Sequence, residues 1–395
     1  MECKNSTTRL STTHASLTTL LAVVIIGSGL VNISILADAS ASSDDGTKKG
    51  GGVILGDSKA FMEHEGLAPT VQPWENGMRI SPMLGTFEWW YLQGTFDDGS
   101  HAELVYSAKP WMDNNGLLNP YVGLTITSPN GTAHRDVIRA STDQFQAARN
   151  TVNITIGKNW VQGDLDTIQL HAESPKGFGA DLVFNRTAPP TRFGGAGMWY
   201  FDTSLTQFSA AFDPMPDATV KGNLTYDGQT VQVQGDGYHD RQWGNVNWNQ
   251  VLDRWFWTTG HFGNYTIDIA QQISSPFFNY QPISTMYLAK GNQVLVETMK
   301  DVTVQGSGNL TSPRAAHDYP ETLNFHWQNG SNTVDLSLTN PKIVQAGSPV
   351  IISNATIFGN PEYLRLSGNA TLNVNIGGTN ETASGPAVWE VNYAR

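Results

Sequence analysis

Seven short segments, HAELVYSA, TVNITIG, TIQLHAE, ADLVFN, TVQVQG, TLNFHW and TVDLSLT, constrain the fold of this chain more than any other feature. Each is rich in β-branched or aromatic residues, most alternate apolar with polar positions, and almost no stretch of the chain carries helical periodicity. Between them stand hairpin signals: DDG at 97–99, NG at 130–131, DG at 227–228, NG at 329–330 and GG at 377–378. The expectation is an all-β protein of sandwiches or barrels.

The N-terminus reads differently. Lys4 and Arg9 precede an apolar run from about Leu17 to Leu36, and the small residues ADASASS follow it. Basic, then apolar, then small is the order of a secretory signal, here residues 1–41, with cleavage after Ala39 or Ala41. An uncleaved membrane anchor is the alternative, since the run is near spanning length. Residues 42–60, opening with SSDDGTKKGGG, are expected as a flexible linker.

Removal of the signal would take the chain's one cysteine, Cys3, with it. Thiol nucleophiles, disulfides and cysteine-based metal sites would then be excluded together. Sequons support a secretory-pathway glycoprotein: Asn130, Asn153, Asn185, Asn223, Asn264, Asn309, Asn329, Asn354, Asn369 and Asn380 each head an Asn-x-Ser/Thr. Once the signal is removed, no stable membrane partner is expected.

Charge narrows the partners. Charged residues make up 15% of the chain, the net charge is -12, and no basic run occurs, so nucleic acid is an unsuitable partner. Scattered histidines without HxH or HExxH, and the lack of a phosphate loop or a GxSxG elbow, leave a site expected to work without metal or cofactor. Twelve Trp, twelve Tyr and sixteen Phe suit a core or the walls of an apolar pocket.

An internal echo organises the rest. EWWYLQGTFDDGSHAEL, from Glu88, lies over RWFWTTGHFGNYTIDI, from Arg254, with Trp89 on Trp255, Gly94 on Gly260 and Phe96 on Phe262. Two related β-units follow, expected over residues 61–247 and 248–395. FEWWYLQG, a hairpin, and then GYHDRQWG also resemble the paired signatures of the superfamily of bacterial carotenoid hydratases and AttH-like proteins. Its fungal relatives include kievitone hydratase and the Diels-Alderases of natural-product pathways. The resemblance implies two lipocalin-like β-domains with a small-molecule pocket. It leaves the reaction open among hydration, dehydration and [4+2] cycloaddition, on a hydrophobic polyketide, terpenoid or prenylated aromatic.

Strand alternation sorts the candidate residues. From Phe87 to Phe96, Glu88 and Trp90 share one face, and Trp89 and Tyr91 the other. Glu88 is either a general acid or half of a structural ion pair with Arg241. His239 and Arg241 project to one side of their strand, Asp240 and Gln242 to the other, so these four cannot meet without a bend, which Gly244 and Asn245 would allow. His239 is a proton-transfer candidate or a satisfied histidine at a domain junction; Asp240 with Arg241 could be purely structural. The remaining pocket candidates are Lys109, Trp199, Tyr200, Trp243, Trp257, His261 and Asp268, each with a structural alternative. A secreted, non-catalytic carrier of an apolar metabolite would show the same aromatics.

Overall fold

The computed structural model describes residues 51–110, 116–314, 317–347 and 361–395. The expected signal sequence and Asn354 lie outside the described residues. The described residues form one compact unit, and it is all-β.

Two large antiparallel sheets make it up. The first places Phe87–Phe96 at its centre, between His101–Lys109 on one side and Gln229–Gly244 on the other. Tyr121–Thr127 and Ala133–Arg139 extend it past His101–Lys109, and Phe208–Tyr226 and Phe178–Arg186 extend it past Gln229–Gly244. The second begins at Leu252–Phe262, which pairs with Tyr265–Ser274 and with the C-terminal strand Thr379–Tyr393. A short helix, Trp248–Val251, joins the two sheets.

Each sheet curls around its own apolar core, in the lipocalin-like manner that alternating strands produce when one face must leave water. Trp90, Leu92, Leu104, Tyr106, Val122, Leu170 and Phe184 fill the first core, and Ile267, Leu288, Phe325, Leu336, Leu364 and Trp389 the second. A third cluster, with Phe87, Trp199, Trp248, Trp255 and Tyr287, draws on strands of both sheets. Both faces of the central strands are therefore buried.

The echo seen in the sequence has a structural counterpart. Phe96 lies over Gly94, where a Cβ would come within 2.7 Å of its ring, and Phe262 lies over Gly260, where the distance would be 2.9 Å. Any larger residue would displace the ring, so both strands use the same Gly-x-Phe packing just before a hairpin.

The expected linker is corrected at its C-terminal end. Val53 is buried and its amide donates to Gln281 Oε1 at 2.8 Å; Ile54–Leu55 pairs with Tyr200 and Trp199, and Lys59–His64 is helical. The apolar triplet Val53-Ile54-Leu55 outweighs the flexible composition before it.

Candidate active site

Between the two sheets lies a cavity of about 420 Å³. Strand alternation decides what faces it. Phe87–Phe96 contributes Trp89 and Tyr91, Gln229–Gly244 contributes Tyr238, Asp240 and Gln242, Leu252–Phe262 contributes Trp255 and Trp257, and Tyr265–Ser274 contributes Asp268, Ala270 and Gln272. Asp213 and Trp199 complete the wall from the neighbouring strands. The aromatic side chains interlock: Tyr91 meets Trp257 edge-on at 6.1 Å, and Tyr238 lies 5.6 Å from the same indole.

Three carboxyls, Asp213, Asp240 and Asp268, are 2%, 6% and 1% exposed. The Tyr238 hydroxyl is the neighbour they share, with one proton to offer to one of them at a time, and Trp257 Nε1 donates to Asp268 Oδ2 at 3.2 Å. Burial disfavours their charged forms. It pushes Asp268 up to about 7, while the donors Tyr238 and Trp257 pull the other way. Asp213 and Asp240 are held well above the usual carboxylate range, by burial first and then by the negative charge of Asp268. Near neutrality the cluster thus retains protons it can give away. Asp240 Oδ1 and Asp213 Oδ2 have no hydrogen-bond partner among the described residues.

A buried network holds one wall in place. Arg365 donates to the Tyr91 hydroxyl at 2.9 Å and to Gln93 Oε1 at 2.6 Å, and its Nε lies 3.0 Å from Glu103. Glu390, on the cavity wall, accepts from Tyr363, Trp255 and Asn392. Burial raises its pKa, while Arg365 and the donors Tyr363 and Trp255 pull the other way and tie it to the wall as a support.

The other expected residues lie elsewhere. Glu88 faces away from the cavity, forms a buried ion pair with Arg241, and accepts from the amides of Arg79 at 2.8 Å and Ile80 at 3.1 Å. Arg241 also donates to the carbonyls of Glu75 and Gly77, beneath the Trp90 and Trp243 rings. Of the alternatives for Glu88, the geometry is that of the ion pair. His239 is fully buried on the same face: its Nδ1 donates to the Tyr91 carbonyl at 2.8 Å and its Nε2 meets the Asn76 amide at 3.1 Å. Burial pushes its pKa down to about 4, so the ring is neutral and positions backbone. No bend brings the two faces together, because Gln229–Gly244 stays paired with Phe87–Phe96 through this stretch.

Trp90 is core, with Nε1 donating to the Asn76 carbonyl at 2.9 Å. Lys109 is buried and donates to the carbonyls of Met83 and Gly116. Tyr200 donates to Glu65 at 2.8 Å, Trp243 packs over Arg241, and His261 sits 3.2 Å from Asp217. None of these lines the cavity, whereas Tyr91, Trp199, Trp257, Asp240 and Asp268 do.

Sequence reasoning missed Asp213 and Tyr238. Tyr238 was legible, since it stands two residues before Asp240 on the same face. Asp213 was not, because the pairing register shifts between Phe212 and Met215 and breaks the alternation there.

A two-sheet, lipocalin-like protein with an acidic, aromatic-walled cavity is the class that fold and site define. The chain belongs to the AttH-like family, whose model matches residues 85–346. It is 22% identical over 227 residues to the quinolone epoxide rearrangement protein asqO of Emericella nidulans, covering 51% of this chain and 56% of that one. It is 26% identical over 108 residues to the quinolone epoxide rearrangement protein penF of Penicillium thymicola, covering 25% and 30%. The chain thus spans 56% or less of the length of these curated relatives.

Among solved structures, an AttH protein from Nitrosomonas europaea superposes with a TM-score of 0.58 at 15% identity, covering 82% of this chain and 99% of that one. CghA bound to Sch210972 gives 0.56 at 13% identity, over 80% and 89%. Kievitone hydratase from Nectria haematococca gives 0.51 at 16%, over 82% and 91%. At these identities the likeness is one of fold.

Proposed function

We propose that the protein is an enzyme of secondary metabolism that uses its buried carboxyls as general acids on a hydrophobic, unsaturated small molecule. The observation that carries this reading is the convergence of Asp213, Asp240 and Asp268 on Tyr238 inside an aromatic cavity. A protonated carboxyl gives its proton to a hydroxyl or epoxide oxygen, and the C–O bond breaks with its electron pair leaving on oxygen. The indole and phenol faces of Trp257, Trp255 and Tyr91 stabilise the cation left on carbon. The carboxylate formed in the first step then takes a proton from the adjacent carbon. Water is lost from an alcohol, and the acid is regenerated; from an epoxide, a hydride or carbon substituent migrates to the cation instead, and the carboxylate takes back the proton from the protonated carbonyl oxygen that results, which gives a rearranged isomer and again regenerates the acid. An unsaturated product held in the same walls is oriented for [4+2] closure, where binding in a reactive conformation lowers the barrier.

The names of the relatives support a reaction that starts at a C–O bond, since two are quinolone epoxide rearrangement proteins and one fold neighbour is a hydratase. Hydration of an alkene is the same sequence in reverse, and Asp268, pushed up to about 7, is suited to activate the water it needs. A carrier of apolar metabolites, by contrast, gains nothing from three desolvated carboxyls.

The test incubates purified protein with a panel of hydrophobic allylic and benzylic alcohols, aryl epoxides and prenyl alkenes in ¹⁸O-labelled water. Chiral chromatography and mass spectrometry follow the products. Unlabelled dehydrated, rearranged or enantioenriched cyclised products that vanish in Asp268→Asn and Asp240→Asn support the acid reading. A labelled product one water heavier establishes a hydratase, and binding without conversion establishes a carrier.

A further inference from the structure

Beyond the carboxyls the cavity changes character. Gln242 follows Asp240 on the same face of its strand, and Gln272 follows Asp268 and Ala270 on theirs. At ~3.4 Å per residue the two amides lie ~7 Å and ~14 Å along the strands from the acids. Trp89 and Ala211 flank Gln242 in register, and Trp255 stands opposite Gln272. Each amide therefore has an indole beside it on the cavity wall.

Three polar atoms in this end have no hydrogen-bond partner among the described residues: Gln242 Oε1, Gln272 Oε1 and Trp199 Nε1. Gln272 is 9% exposed and Trp199 2%. Buried polar groups are normally paired, and an unmade bond destabilises the fold. Three of them lining one cavity, two from the first sheet and one from the second, mark a place where a bound molecule completes the set. Two carbonyl oxygens ask for donors, and one indole N–H asks for an acceptor.

We infer that this end of the cavity is a recognition subsite for a hydroxylated planar ring. Its hydroxyls donate to Gln242 and Gln272, a ring oxygen substituent accepts from Trp199, and its apolar body runs past Tyr91 and Trp257. The substrate of the proposed reaction is thus bifunctional: a polar aromatic head binds among the tryptophans, and the reacting C–O bond lies at the far, acidic end. The placement of the reacting bond rests on the acid reading; the hydrogen-bonding pattern of the head does not.

Two probes of one shape separate these contacts, 4-hexylresorcinol and its dimethyl ether, titrated calorimetrically into the full chain. The resorcinol is expected to bind about tenfold tighter than the ether, because a site built for donors rejects the analogue that lacks them. Gln242→Leu/Gln272→Leu collapses that ratio towards one while its melting temperature stays level or rises, since two unpaired buried oxygens are gone. Trp199→Phe weakens both probes, and Asp268→Asn leaves the ratio intact. Equal affinities in the parent, or a ratio that survives the double substitution, overturn the subsite. Loss of the ratio with acid-dependent conversion retained discards the subsite alone. A preserved ratio without such conversion discards the acid reading alone.

Discussion

Asp240 and Arg241 are adjacent in the chain and part company in space: Asp240 faces the cavity, whereas Arg241 turns into the opposite layer and pairs with Glu88. The charged cluster between Gly235 and Trp248 therefore does two jobs with alternate residues. His239 and Arg241 lock the Phe87–Phe96 strand and the Glu75–Gly77 segment to this strand, and Tyr238 and Asp240 present chemistry on the other side. The locking fixes Tyr91, whose carbonyl is held by His239 and whose ring closes the cavity.

Removing one member of that ion pair leaves the other charge buried without its counter-ion. Glu88→Gln is expected to lower unfolding stability by ~3–5 kcal/mol, and Glu88→Gln/Arg241→Met to recover much of it. Urea unfolding followed by tryptophan fluorescence measures both. Conversion per folded molecule stays near the parental value, because neither side chain faces the cavity. A single-variant loss below ~1 kcal/mol would place the pair among contacts of little consequence.

The pH profile tests the acids directly. Asp268 titrates at about 7, so a step that needs its proton runs below that value and fails above it. The limb belongs to the three coupled carboxyls together. The Tyr238 hydroxyl, whose one proton serves one carboxylate at a time, favours the ionised form of the cluster, so Tyr238→Phe moves the limb to higher pH. Asp268→Asn is expected to cost ~10²–10⁴ in rate. Product formation measured from pH 5 to 9 decides the matter; a limb that stays put or moves to lower pH in Tyr238→Phe contradicts the arrangement.

His239 and Asp268 bend the stability curve in opposite senses. His239 is pushed down to about 4, against ~6.5 in an unfolded chain, so its contribution is full above ~6.5 and is lost as pH falls towards 4. Asp268 is pushed up to about 7 from 3.8, so the folded chain keeps a proton the unfolded chain releases, and stability falls as pH rises across that window. Both effects fall between about pH 4 and 7 with opposite sign, so across that window the melting temperature should rise less with pH than in the parent in His239→Gln and fall less with pH in Asp268→Asn. Parallel curves for all three proteins would contradict both assignments.

Much of this was legible in the sequence, and the residues show where legibility stopped. Period-two alternation correctly separated Trp89 and Tyr91 from Glu88 and Trp90, and Asp240 from His239 and Arg241. It could not say which face was the cavity, because both faces of these strands are buried, one in a barrel core and one against the cavity. Titratable groups sit on both, so Glu88 and His239 competed with Asp240 on equal terms. The Gly-x-Phe repeat was readable because the ring and the missing side chain leave a fixed local signature. The meeting of Asp213, Asp240 and Asp268 is tertiary, created by two sheets whose contact no local pattern encodes.

The sequons give the last prediction, which tests passage through the secretory pathway, a reading that we propose on their number and placement. Of the nine on described residues, Asn130, Asn153, Asn264, Asn309, Asn329, Asn369 and Asn380 are exposed, while Asn185 and Asn223 are half-buried within paired strands. Asn185 also accepts from Thr167 at 3.2 Å, which ties its side chain to the sheet. Glycan transfer needs a reachable side-chain amide, and turns offer one more readily than the middle of a ladder. Expression in a secreting fungal host, enzymatic deglycosylation in ¹⁸O-labelled water and peptide mapping should therefore label Asn130, Asn264 and Asn309, which lie at or beside turns, and spare Asn185 and Asn223. Unlabelled peptides at every sequon would remove the support for a secretory protein and leave the N-terminal apolar run as its one remaining argument.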